Sequence, residues 1–190
     1  ERFLLSLRYY RYNKPPLKLS RFLSLPEKDR NNLLKELNNK KGWLVEIISF
    51  VLMPNHFHLL LKQKEDNGIS TFMRRAINSY TRYFNTKHAR GGSLFQGVFK
   101  AIRIETDEQL IHLSRYIDLN PLVSYVVRDK DFMDYPWSSL SEYLKGETGL
   151  VESKYVLSHF RSVNEYKKFI LDQKGYAKEL EKIKHLVIEK

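Results

Sequence analysis

Two strand-forming runs separated by a three-residue break set the first constraint on this chain. Trp43 to Met53 is rich in Val and Ile and reads as a buried strand. Met53-Pro54-Asn55 interrupts it, and His56 to Lys62 reads as a second strand, so the pair predicts an antiparallel hairpin. On a strand, residues two apart share a face and lie roughly 6.6 Å apart along the chain. His56 and His58 should therefore point together, with Phe57, Leu59 and Leu61 facing the core.

Helical patterns flank the hairpin. Phe3, Leu4, Leu7 and Tyr10 line one face of a helix from Glu1 to about Arg11, which Pro15 and Pro16 end. Residues 13–25 read as a loop, and Pro26 opens a helix carrying Leu33, Leu34 and Leu37, with Gly42 after it. Residues 69–89 predict the clearest helix, with Ile69, Phe72, Met73, Ala76, Ile77, Tyr80, Tyr83 and Phe84 on its apolar face. Residues 95–105 read as a further strand. Thr106 is the expected N-cap of a helix with Asp107 and Glu108 in its first turn, ending near Asn120 because Pro121 follows. Tyr135-Pro136-Trp137-Ser138-Ser139 opens a short helix, and Gly146 to Gly149 reads as a hinge. From Glu152 the pattern is helical, closing on a charged helix from Lys178 to Lys190. The expected class is α+β, with a main domain over 1–145 and an accessory helical tail over 146–190.

Charge narrows the partners. The net charge is +11, and a basic excess on a chain of 190 residues points to a polyanion, most often nucleic acid. No apolar run approaches the roughly 20 residues of a membrane helix, so no membrane partner is expected. The absence of cysteine excludes disulfides, thiolate metal sites and cysteine nucleophiles, and it fits a reducing cytoplasm. Residue 1 is Glu and opens directly into a helical pattern, so the natural start is expected upstream.

Four residues carry the candidate chemistry. Two neutral imidazoles converging from one strand, His56 and His58, can hold one metal ion; two unrelated surface histidines would have the same spacing. Tyr116 and Asn120 lie one turn apart on one helix face, and an amide oxygen can be a third, hard ligand. Spacing alone equally allows Tyr116 in the core and Asn120 as a helix-end residue. His112, a turn before Tyr116, is either its neighbour in the site or a surface histidine. Arg74, Arg75, Arg82, Lys87, Arg90, Lys100 and Arg103, interleaved with Tyr80, Tyr83, Phe95 and Phe99, combine the charge and stacking that suit a DNA strand; a solvated helix face gives the same pattern.

Four segments stand in order: Met53-Pro54-Asn55-His56-Phe57-His58-Leu59-Leu60, Leu94-Phe95-Gln96-Gly97-Val98-Phe99-Lys100, Arg115-Tyr116-Ile117-Asp118-Leu119-Asn120-Pro121 and Tyr135-Pro136-Trp137-Ser138-Ser139. Together they resemble the single-tyrosine HUH transposases, and more narrowly the REP-associated tyrosine transposases of bacterial chromosomes. The likeness covers roughly residues 1–145. It implies a ferredoxin-like HUH fold, an antiparallel sheet with helices on one face, followed here by a C-terminal helical extension. It implies Mg²⁺ or Mn²⁺ on His56, His58 and Asn120, and Tyr116 as nucleophile. It implies single-stranded or hairpin DNA as substrate, a 5′-phosphotyrosine link, a monomer or homodimer, and a cytoplasmic, nucleoid-associated setting. A phenol has a pKa of about 10, so it needs help to lose its proton at neutral pH, and a bound cation's field is the expected help.

The chain departs from the family pattern in three places. The strand expected upstream of the first helix, with its Asn-Arg-Gly-like turn, is absent. Asp118 stands where His or Glu is more usual, and Val98 where a basic residue is frequent. Three functions compete: strand cleavage and rejoining, a non-cleaving DNA- or RNA-binding relative, and a hydrolytic metal nuclease in which Tyr116 is structural.

Overall fold

The structure is a computed structural model that describes residues 1–39, 42–146 and 149–172. It is α+β, with a two-stranded antiparallel sheet and several helices. In chain order the elements are α1 (Arg2–Tyr10), α2 (Leu19–Ser24), α3 (Glu27–Asn39), β1 (Val45–Leu52), β2 (Phe57–Gln63), α4 (Gly68–Lys87), α5 (Asp107–Val123), a 3₁₀ turn (Phe132–Asp134), α6 (Leu140–Lys145), α7 (Lys154–Leu157) and α8 (Val163–Leu171). The expected charged helix from Lys178 to Lys190 lies outside the described residues, as do residues 147–148 of the expected hinge. Contacts divide the chain into two compact units, Glu1–Glu46 with Lys62–Phe99, and Ile47–Leu61 with Lys100 onward.

In the first unit α1 packs on α4. Phe3 meets Tyr80 at 4.9 Å between ring centroids and Arg2 lies over the Tyr83 ring. Tyr9, rather than the expected Tyr10, carries the fully buried side of α1. It joins Tyr12, Leu19, Phe22 and Leu37 in one cluster, with its hydroxyl on the Leu17 carbonyl. That cluster is why residues 19–24 form a helix inside the expected loop: Leu19 and Phe22, three apart, both reach it. Gly68 opens α4 where the backbones touch, since a Cβ there would stand 2.3 Å from the Leu44 carbonyl oxygen.

The expected strand over 95–105 does not form. Gly97 takes a left-handed φ of +69° in the middle of the run, which breaks extended backbone, and Val98 is left 84% exposed. β-propensity without a partner strand is not enough.

The second unit is built around α5. Thr106 caps it as expected, its side chain accepting from Gln109 N. Pro121 does not end it; the helix runs one turn further, to Val123. Ser124 N returns to the Asn120 carbonyl, and the N–H groups of Val126 and Val127 converge on the Pro121 carbonyl, so the turn around the proline stays hydrogen-bonded. Residues 137–139 pair with β1 rather than only opening a helix: Leu52 N donates to Trp137 O and Ser139 N to Phe50 O. Gly146 caps α6 in the left-handed conformation, and the Glu142 carboxylate accepts from Leu150 N and Val151 N.

At the centre of this unit Asp118 is fully buried. Tyr166 of α8 donates to it at 2.6 Å and Ser139 at 2.7 Å. Ser49 of β1 lies 2.8 Å from Ser139, and Tyr143 beside them donates to the Ile48 carbonyl. Burial raises the Asp118 pKa to about 7, against the opposing pull of the Tyr166, Ser139 and Ser49 hydroxyls. Tyr143 and Tyr166 face it with their own pKa values driven up by burial and by the Asp118 charge. A carboxyl whose folded pKa lies above its unfolded value stabilises the fold fully below the unfolded pKa, near 3.8, and loses that contribution as pH rises through about 7. Chemical denaturation at pH 5.5 and pH 8.5 is therefore expected to show the higher-pH fold as the less stable. In Asp118→Asn, which cannot ionise, that difference should shrink.

Candidate active site

β2 and α5 bring His56, His58 and Tyr116 together. The rings of His56 and His58 lie 5.1 Å apart, edge to face. His58 also meets Tyr116 at 5.5 Å, again edge to face. Tyr116 is 3% exposed and Asn120, a turn further along α5, is also buried. Asn120 Oδ1 has the Ser124 hydroxyl at 3.4 Å.

Burial along β2 does not separate two faces. Leu60 is buried, whereas Phe57, His58, Leu59 and Leu61 are all half-buried. α5 presents Tyr116 to His58. His56, at the strand entrance, stays exposed, while His58 is half-buried.

Asn55 acts in a way that its reading as a turn residue did not reveal. Its Oδ1 lies 2.7 Å from His56 Nδ1. An amide oxygen only accepts, so Nδ1 is the donor in this contact, which leaves Nε2 of the neutral ring as the nitrogen for a metal ion. The donor set, two imidazoles and an amide oxygen, fits a divalent cation that accepts mixed nitrogen and oxygen ligands. Among the described residues no group of three or more His, Cys, Asp or Glu could hold a metal; an amide third donor lies outside that class.

The remaining candidates spread over several places. On α4, Arg74, Arg82 and Lys87 are exposed, and so is Arg90 in the loop after it. Arg82 and Arg90 line a shallow groove of about 440 Å³ with Asn78, Thr81, Asn85 and Thr86. Lys87 lies over Tyr83 and Arg90 over Phe84. Arg75 instead donates to the Asn13 carbonyl and ties α4 to the segment after α1. Lys100 and Arg103 are exposed in the irregular segment before α5. His112 lies 3.2 Å from Arg115, whose guanidinium also donates to the Phe169 carbonyl and covers the Phe169 ring, so it belongs to the α5–α8 packing.

No helix among the described residues is long and apolar enough to cross a membrane. No curated protein and no solved structure matches the chain. The family model of IS200-like transposases matches residues 24–120, a stretch that takes in the hairpin with both histidines, all of α4, and α5 as far as Asn120. The chain thus belongs to the IS200-like transposase family, whose members act on DNA.

Proposed function

We propose that the chain cuts and rejoins single-stranded DNA through a covalent 5′-phosphotyrosine link on Tyr116, at hairpin-forming repeats of the kind used by REP-associated tyrosine transposases. The observation that carries this reading is the run of three rings, His56 against His58 and His58 against Tyr116, at 5.1 and 5.5 Å. It sets a phenol beside an imidazole pair within a transposase family.

In the proposed reaction the Tyr116 oxygen attacks the scissile phosphorus. A tyrosine–phosphorus bond forms, the bond to the 3′ oxygen breaks, and that oxygen leaves as a free 3′-hydroxyl, taking up one proton for the one the phenol gives up. Attack by another 3′-hydroxyl reverses the step and rejoins the strand. Mg²⁺ or Mn²⁺ held by His56, His58 and Asn120 would supply Lewis acidity at the phosphate. Asn55 fixes the His56 ring for that role.

The burial of Tyr116 favours a second reading, in which its ring is packing and the chain binds or hydrolyses DNA without a covalent step. Incubation with hairpin-bearing single-stranded DNA and Mn²⁺, followed by a denaturing gel, separates the two. A protein–DNA adduct supports the proposal; cleavage without adduct, or no cleavage, opposes it.

The exposed cations of the 74–90 stretch are expected to bind the strand's phosphates. Affinity should then fall steeply with salt, and Arg82→Ala should lower the slope of log K against log salt by about 0.7, the value for one single-strand phosphate contact. Titration over a salt series checks this, and a slope unchanged in Arg82→Ala would remove that residue from the interface.

A further inference from the structure

Whatever aims Tyr116 must hold α5 against rotation about its own axis. The helix advances about 100° per residue, so Asp118 points roughly opposite to Tyr116 and Asn120 lies back on the Tyr116 side. With a side-chain radius of about 5–6 Å, a rotation of roughly 10° would carry the Tyr116 side chain by about 1 Å. A displacement of that size in a reacting group can cost about 100-fold in rate.

The far face of α5 is gripped at two levels by side chains beyond the matched stretch. Tyr166 and Ser139 donate to the two oxygens of Asp118, at 2.6 and 2.7 Å. Ser139 is itself fixed to β1, accepting from Phe50 N at 3.0 Å with Ser49 at 2.8 Å. One turn earlier Arg115 donates to the Phe169 carbonyl and lies over the Phe169 ring at 4.1 Å. The family match ends at residue 120, while Ser139, Tyr166 and Phe169 all follow it. For packing alone, apolar side chains would serve at these buried positions with no desolvation cost. A carboxyl with directional hydroxyl partners sets an angle.

We infer that Tyr166 of α8, acting through Asp118, is a positioning residue that sets the rotation of α5 and so the aim of Tyr116 at the His56–His58 pair. The inference rests on the strand-transfer reading above for its consequence in catalysis, but not for its structural content.

The test is Tyr166→Phe, which removes one hydroxyl and keeps the ring. Two measurements on the full chain decide it, both made well below the melting temperature with the folded fraction checked by circular dichroism. The first is single-turnover cleavage of hairpin DNA at saturating DNA and Mn²⁺, alongside DNA affinity. The expected result is a loss of about tenfold or more in rate, with Kd within about twofold of wild type. The second is the NMR cross-relaxation between the Tyr116 and His58 rings, which needs neither metal nor DNA. It should weaken in Tyr166→Phe and in Asp118→Leu. An unchanged ring contact, or a rate loss no larger than the loss of folded protein, overturns the inference. A wild type that forms no adduct refutes the strand-transfer reading, while the ring contact still decides the positioning role.

Discussion

Tyr116→Phe is expected to abolish strand cleavage and the covalent adduct while leaving DNA affinity close to that of wild type. The substitution removes one oxygen from a ring that is 3% exposed and packs edge-on against His58. The ring contacts remain, so the fold should survive with a stability change within about 1 kcal/mol, the ordinary worth of one hydrogen bond. The chemistry does not survive, because that oxygen is the atom proposed to bond to phosphorus. Full loss would mean a fall of several orders of magnitude, as when a nucleophile is removed from other covalent catalysts. A Tyr116→Phe protein that still cuts would point to water as the nucleophile, or to Tyr80, Tyr83 or Tyr125. Of these Tyr125 is almost fully exposed, just past the end of α5.

The histidine pair gives the second large effect, and burial separates its two members. His56 is exposed, whereas His58 is half-buried and touches both the His56 and Tyr116 rings. Both His56→Ala and His58→Ala should cut cleavage by more than the 10–100-fold typical of losing a residue that only orients a ligand, so by about 100-fold or beyond. Excess Mn²⁺ should restore part of it, since the remaining donors still bind weakly. Stability should diverge: His56→Ala is expected to melt near wild type. His58→Ala, which empties a packed position, should lose about 1–3 kcal/mol. Cleavage rates over an Mn²⁺ titration, with melting curves, test both. Undiminished cleavage by either variant would remove that histidine from the metal site.

What could be read from the residues follows the range of the interactions involved. The hairpin, α4 and the Thr106 cap depend on local period and capping, and all three formed within a few residues of expectation. The same rules failed where the chain after a stop signal, a single backbone conformation or a distant partner decides. Pro121 is an ordinary stop signal, but the carbonyls of Asn120 and Pro121 find donors in Ser124, Val126 and Val127. Phe95 to Ile102 has strand-like residues, yet Gly97 turns the chain. Asp118 looked like a departure from the family pattern, and its partners lie 21, 48 and 69 residues away in sequence. Asn55 was legible in principle, since an amide next to a candidate ligand histidine is a ready partner for its second nitrogen.

The central claim is that the phenol of Tyr116 bonds to DNA, and one measurement reaches it directly. The adduct formed on hairpin DNA with Mn²⁺ would be digested with nuclease and trypsin and its peptides analysed by mass spectrometry. The account predicts a nucleotide-bearing phosphotyrosine on the peptide that contains Tyr116, and none in Tyr116→Phe. A nucleotide on any other residue, or cleaved DNA with no modified peptide, would contradict it.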